Sequence, residues 1–329
     1  MSNDLNKKVL VKIASLIPEN IKPVNFFMDV LDLGKESAYR RLRGEKALSF
    51  EDIYKMSLKL GFSLDELIES NKTDTPKFHD IGGHKQSPEN NIWEFFLYYE
   101  KYLQRYSKAG NSEIVCTMNH ILNTLLVGYD DLFKFVYYRW MHQMKDVPLN
   151  YLYSDLVIPA EVKELCSRLA VMHRGIKKVS FIVDNNLFLN LVKEMQYFYI
   201  RGLLKEPELN ALKEQYLSYM DHLERATTKG VDNNGTKIEI YLSMFSINST
   251  TAYSTWDENE ESAFWHYYGH PIITRNKEIA CRHKDWLQSL KKYSTVISQS
   301  NELLQADFYN KQRSYVDNIT KNIRHLYTT

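Results

Sequence analysis

The sequence predicts two units of different class: an all-α N-terminal unit of five short helices over residues 1–70, and a mostly helical α+β unit with a small antiparallel sheet over residues 92–329. Three observations carry that prediction. Within residues 1–70 the apolar residues repeat every three or four positions, and each run is bounded by a cap or a breaker. Residues 71–91 carry Thr73, Thr75, Pro76, Gly82, Gly83, Ser87 and Pro88 and few large apolar side chains, a linker composition. From Ile92 onward the helical patterns lengthen, become rich in tyrosine and are broken by strand-like alternation.

In the N-terminal unit, Leu5, Val9, Ile13 and Leu16 share one helical face before Pro18 stops the run. Pro23 suits a first helical position and opens a second helix through Val24, Phe27, Met28 and Leu31, with Gly34 as its stop. Lys35–Arg43 forms the third. Ala38 and Leu42 lie four residues apart on one face of it, while Lys35, Glu36, Tyr39, Arg40 and Arg43 project from the other. Ser49 with Asp52 reads as a capping box for a fourth helix lined by Ile53, Met56 and Leu60 and ended by Gly61. Ser63 and Glu66 open a fifth, whose Leu64, Leu67 and Ile68 can close the core.

In the second unit, Trp93, Phe96, Tyr99, Leu103 and Tyr106 keep helical spacing, and further helices are expected over 129–143, 160–174, 186–202, 206–228, 276–297 and 301–325. Over Lys237–Phe245, Ile238, Ile240, Leu242 and Met244 alternate with Glu239, Tyr241 and Ser243, the period of a half-buried strand. Asn248-Ser249 can turn it into Thr251–Trp256, and Ala263–Tyr268, ended by Gly269-His270-Pro271, reads as a third strand. Ser112–Met118 is a further strand candidate. Ile279, His283, Trp286, Leu290, Tyr293 and Ile297 form a seam that suits either the molecule's own sheet or a second copy.

Composition bounds the function. The chain has 329 residues, 44% hydrophobic and 25% charged, enough for about two or three folded domains. Its net charge is +1, from 42 basic and 41 acidic residues, and residues 1–70 balance at 11 − 11 = 0, so bulk charge points to no polyanionic partner. Locally, Lys35, Arg40, Arg41, Arg43 and Lys46 stand against Glu36 and Glu45, which leaves that helix and its exit positive. Cys116, Cys166 and Cys281 are odd in number and far apart, which fits a reducing compartment, and no apolar run has the ~18 residues of a membrane span. Cytoplasmic localisation is the expectation, with no secretory signal.

Two helices joined by a tight turn, the second exposing long polar arms at its N-terminal half, is the arrangement that reads DNA base edges from the major groove. Residues Leu5–Glu69 resemble the helix-turn-helix domains of phage repressor/Cro-type (XRE-like) transcriptional regulators. The resemblance rests on Leu33-Gly34, Ser37, Arg43-Gly44, Leu48-Ser49 and the run Leu60-Gly61-Phe62-Ser63-Leu64-Asp65-Glu66-Leu67. It implies sequence-specific binding of double-stranded DNA, usually as a homodimer on a palindromic site. Arg40 and Tyr39, helped by Lys35 and Glu36, are then the base readers, Ser37 a phosphate-bonding hydroxyl, and Arg41, Arg43 and Lys46 the phosphate contacts.

The remaining residues say less. His266, His270, Cys281 and His283 have metal-ligand chemistry, but their place at a strand end and turn favours scattered histidines, and no metal or cofactor is expected. There is no Gly-rich phosphate loop, nucleophile elbow or CxxC pair, so no enzymatic activity is predicted. The 23 tyrosines could line an aromatic ligand pocket, yet core filling is their commoner use. The element order of a sheet, flanking helices and a terminal helical pair resembles ligand-sensing modules of the GAF or PAS kind, without any motif. The expected whole is a regulator whose C-terminal unit dimerises or senses a small-molecule or peptide effector. Its alternatives are an enzyme that the helix-turn-helix targets to DNA, and a protein-interaction module that binds no DNA.

Overall fold

A computed structural model describes residues 2–18, 21–62, 78–80, 88–144, 147–172, 176–267 and 270–320, which fall into two units, Met1–Thr75 and Pro76–Thr329. The fifth helix expected from Ser63 lies outside the described residues, as does most of the segment read as linker.

The first unit contains α1 (Ser2–Leu16), α2 (Pro23–Leu31), α3 (Lys35–Leu42) and α4 (Phe50–Leu60). Their apolar stripes meet in one core formed by Val9, Ile13, Val24, Phe27, Leu31, Ala38, Leu48 and Met56. The Ser49 capping box is present: Ser49 Oγ accepts the Asp52 amide at 3.0 Å, and Asp52 Oδ2 accepts the Ser49 amide at 3.0 Å. Gly61 ends α4 in the left-handed conformation, φ 68°. The end of α2 differs from the expectation. Asp32, not Gly34, takes the left-handed position at φ 52°, and Gly34 is instead an extended residue at φ −66° that precedes α3. Aspartate tolerates that conformation better than most side-chain-bearing residues, so a stop signal keyed to glycine falls two residues late.

In the second unit the expected small antiparallel sheet is replaced by an eight-stranded mixed sheet. The elements run β1 (His79–Asp80), α5 (Pro88–Lys108), β2 (Ser112–Met118), α6 (Asp130–Met144), α7 (Ala160–Met172), β3 (Lys178–Val183), α8 (Leu189–Ile200), α9 (Glu206–Lys229) and β4 (Lys237–Ser243). Then come β5 (Thr251–Trp256), β6 (Asn259–Tyr267), β7 (His270–Thr274), α10 (Lys277–Lys292), β8 (Ser294–Val296) and α11 (Glu302–Asp317). Spatial order is β1-β7-β6-β5-β2-β3-β4-β8. β2, β3 and β4 are parallel, joined by helical crossovers, and β5, β6 and β7 extend the sheet as an antiparallel meander.

The difference has a physical source. Lys-Val-Ser-Phe-Ile-Val of β3 is buried on both faces after its first residue, so it shows no alternation and reads as a gap between two helices. β8 hides in a long helical pattern that in fact ends at Lys292. Two pieces of the sequence-predicted linker belong to this unit, because His79 and Asp80 pair with Ile273 and Ile272, and Pro88 begins α5.

The two sheet faces are covered unequally. α5, α6, α7, α8, α9 and α11 bury one face in a single large core that includes Trp140, Tyr106, Tyr138, Tyr216 and Phe188. On the other face lies α10, whose Ala280, His283 and Leu287 pack on Val115, Ile182 and Tyr253. Of the predicted seam, His283 and Leu290 pack toward the sheet and Ile297 is buried beyond α10, while Trp286 and Tyr293 are exposed. No helix among the described residues is long and apolar enough to cross a membrane.

Candidate functional site

Among the described residues, two places suit a binding role: the outer face of α3 in the first unit, and a cavity against the large-core face of the sheet in the second.

α2 and α3 pack on each other across the turn Asp32-Leu33-Gly34, with the Leu33 amide bonded to the Met28 carbonyl at 3.1 Å. Ala38 is fully buried against α2 and fixes the rotation of α3 about its axis. That rotation leaves Lys35, Glu36, Ser37, Tyr39 and Arg40 exposed along one side, with Lys46 exposed on the turn that follows. The turn is held by the Lys46 amide bonded to the Arg40 carbonyl at 3.1 Å. Arg43 is exposed too, paired with Glu45 at 2.8 Å, a surface ion pair of little energetic weight that a phosphate can displace.

Arg41 is different. It is 8% exposed, lies three residues after Ala38 on the packed face, and its Nε meets Asp52 Oδ2 at 2.9 Å. A guanidinium so placed is not free to bind phosphate, so Arg41 leaves the set of predicted DNA contacts and becomes the tie between α3 and the α4 cap. Asp52 receives both Arg41 and the Ser49 amide. Burial pushes its carboxyl up, but the Ser49 amide and the Arg41 guanidinium outweigh burial and hold it below the ordinary value.

This cavity in the second unit measures about 260 Å³ and is walled almost wholly by apolar and aromatic side chains. Its floor is the sheet and its roof is α5, through Phe95, Tyr98, Tyr99 and Tyr102, together with α9, through Tyr219, Leu223 and Ala226. The tyrosines therefore divide. Tyr98, Tyr99, Tyr102 and Tyr219 line this space, whereas Tyr138, Tyr153, Tyr216 and Tyr309 fill core. Sequence periodicity finds α5 but not the cavity, since lining and filling side chains share one spacing.

Polar groups in the wall are few. Glu261, 1% exposed, is held by Arg275, whose Nε and Nη2 both reach Glu261 Oε2 at 2.9 Å. Tyr106 donates to the Tyr102 hydroxyl at 2.9 Å, and Tyr102 donates to Ser254 Oγ at 2.8 Å. The Trp265 indole Nε1 and the Thr236 hydroxyl are shut off from water without a hydrogen-bond partner. Burial pushes the Cys116 thiol in the floor up to about 12, which makes it a packing group and not a nucleophile.

On the opposite face the histidines singled out by sequence are not gathered. His283 places Nδ1 2.9 Å from Ser262 Oγ and Nε2 2.9 Å from Thr251 Oγ1, so both ring nitrogens are occupied by hydroxyls. Cys281 is exposed, His266 is exposed, and the His270 side chain lies outside the described residues. Among the described residues no three His, Cys, Asp or Glu side chains stand together as a metal site.

Burial holds His283 down at about 4, and burial with the Arg139 charge does the same for His120. Both folded values lie below the ordinary 6.5, so between about 6.5 and 4 the unfolded chain binds more protons than the folded one. Their stabilising contribution is present above pH 6.5 and is lost as pH falls toward 4. The thermal midpoint of the second unit is expected to drop between pH 7 and pH 4.5, and to drop less in His283→Asn; an equal drop in the variant would remove His283 from the account.

The chain matches no protein-family model, and no curated protein is significantly similar to it. Its function is therefore read from α3 and from the cavity.

Proposed function

We propose that this chain is a sequence-specific DNA-binding transcriptional regulator of the repressor/Cro type, acting in the cytoplasm as a homodimer, with an effector-sensing second unit and no catalytic activity. The single observation that supports the DNA-binding half is the one-sided α3: a rigid neighbour, a three-residue turn, a buried Ala38, and Lys35, Glu36, Ser37, Tyr39 and Arg40 left free to reach a groove. In this reading Arg40 and Tyr39 face base edges, and Lys46 and Arg43 face phosphates. The sensing half is supported by an apolar cavity with a few buried polar atoms, the usual character of a small-molecule site.

The test is a titration of the full chain against its own promoter region at several salt concentrations. A shifted complex is expected at low salt, weakening steadily as salt rises, with a footprint of two half-sites about 10–10.5 base pairs apart. No shift at low salt would overturn the DNA-binding reading and leave a protein-interaction role.

A further inference from the structure

The cavity floor is a straight row. Ile273, Ala263, Ala252, Cys116, Phe181 and Ile240 are each in register with the next across β7, β6, β5, β2, β3 and β4, and all six line the cavity. Six adjacent strands span five spacings, roughly 24 Å. The three middle residues, Ala263, Ala252 and Cys116, are small and sit side by side on neighbouring strands. Flanking rows carry larger groups, Ile114 and Val179 on one side and Met118 and Val183 on the other. The result is a trough that runs across the strands beneath the tyrosines of α5.

Volume sets the shape of an occupant. An apolar cavity of roughly 150 Å³ holds a compact ring such as benzene. Lining residues set out along such a row suit a long, thin occupant better than a compact one. Charge sets the head group. Among the described lining residues there is no lysine or arginine, Glu261 is already engaged by Arg275, and Asp232 accepts the amides of Asn234 and Thr236 within its own loop. A carboxylate or phosphate head would enter a largely apolar space with acidic groups, where the lining imidazole of His222 already meets the Tyr129 hydroxyl through Nδ1. The unsatisfied Trp265 Nε1, a donor with no other capacity, asks instead for a neutral acceptor oxygen.

We propose that the second unit binds a single-chain aliphatic amphiphile with an uncharged oxygen head, of the long-chain alcohol class, its chain laid along the Ala263–Ala252–Cys116 trough and its oxygen accepting from Trp265. This deepens the sensing role proposed above and rests on that reading only for its regulatory consequence.

The experiment uses the full chain and the neutral fluorophore N-phenyl-1-naphthylamine, displaced by n-alkanols of increasing length, by the matching n-alkanoates at pH 7.5, and by phenanthrene. Alkanol affinity is expected to rise about three- to fourfold per methylene until the trough is full, and to exceed that of the matching alkanoate by at least roughly tenfold. Trp265→Phe should weaken alkanol binding roughly three- to tenfold. Ala252→Phe, which fills the trough at its middle, should abolish displacement, with the thermal midpoint reporting that the variant is folded. Absence of saturable displacement in the wild-type chain, alkanoates binding as tightly as alkanols, or phenanthrene outcompeting every alkanol would each overturn the assignment. Because no DNA is present, failure here leaves the DNA-binding reading standing. Conversely, alkanol binding that leaves operator affinity unchanged would remove the sensing role and keep the site.

Discussion

Arg41→Ala is expected to destabilise the N-terminal unit by about 2 kcal/mol, below the cost of breaking a fully buried ion pair from one side because Asp52 is only partly buried. The loss has two parts. Asp52 keeps its charge inside a packed corner without its counter-ion, and the capping carboxylate that also holds the Ser49 amide loses one of its two anchors. Hydrogen exchange at the amides of α2, α3 and α4 measures the effect in the full chain, where the second unit serves as an unchanged internal standard. Arg41→Ala with Asp52→Asn should recover part of the loss, because the stranded charge is gone. If the single variant exchanged at wild-type rates, Arg41 would be a surface residue and α3 would have to be turned differently about its axis. The same pair sets an acid limit: the folded value of Asp52 lies below its ordinary one, so its contribution is present above about pH 4 and is lost as pH falls through the lower, folded value.

Arg40→Ala is the second. Under the proposed DNA-binding role, removing the guanidinium should lower operator affinity by about 1–3 kcal/mol and relax preference at one base position of each half-site while other positions keep theirs. Lys46→Ala offers the contrast. It should weaken every sequence alike and reduce the steepness of the salt dependence by about one phosphate contact. A randomised-operator selection read out by sequencing separates the two outcomes. Unchanged preference at every position in Arg40→Ala would move base reading to another residue of α3 or away from this helix.

The contrast between neighbours Arg40 and Arg41 shows what pattern reading resolves and what it does not. Both are arginines in one short positive helix, and composition treats them alike. Spacing alone separates them, since Arg41 follows Ala38 by three and therefore shares its packed face, while Arg40 follows Glu36 by four on the open side. A charged residue on a packed face is easily read as surface, because burial of arginine is uncommon and requires a partner. That partner is Asp52, which the sequence shows only in its capping role.

The second unit was less legible. β4 alternates between exposed or half-buried and buried positions over most of its length, and alternation is visible in a linear sequence. β3 does not alternate, and the parallel order β2-β3-β4 depends on which strands meet after crossovers of 59 and 53 residues. The histidines, close in sequence, are drawn apart by the same geometry, since α10 turns His283 inward toward Thr251 and Ser262.

By itself the sequence determined the four described helices of the first unit, the Ser49 capping box and the side of α3 that faces outward, because apolar spacing and capping are local interactions between residues three or four apart. Tertiary structure decided the rest. The bond between Arg41 and Asp52 spans only eleven positions but waits on the packing of the helical core, whereas the mixed order of the sheet and the trough floored by Ala263, Ala252 and Cys116 join residues far apart in the chain. Such contacts form only when strands fall into register, and register depends on the whole packed unit, not on any one segment.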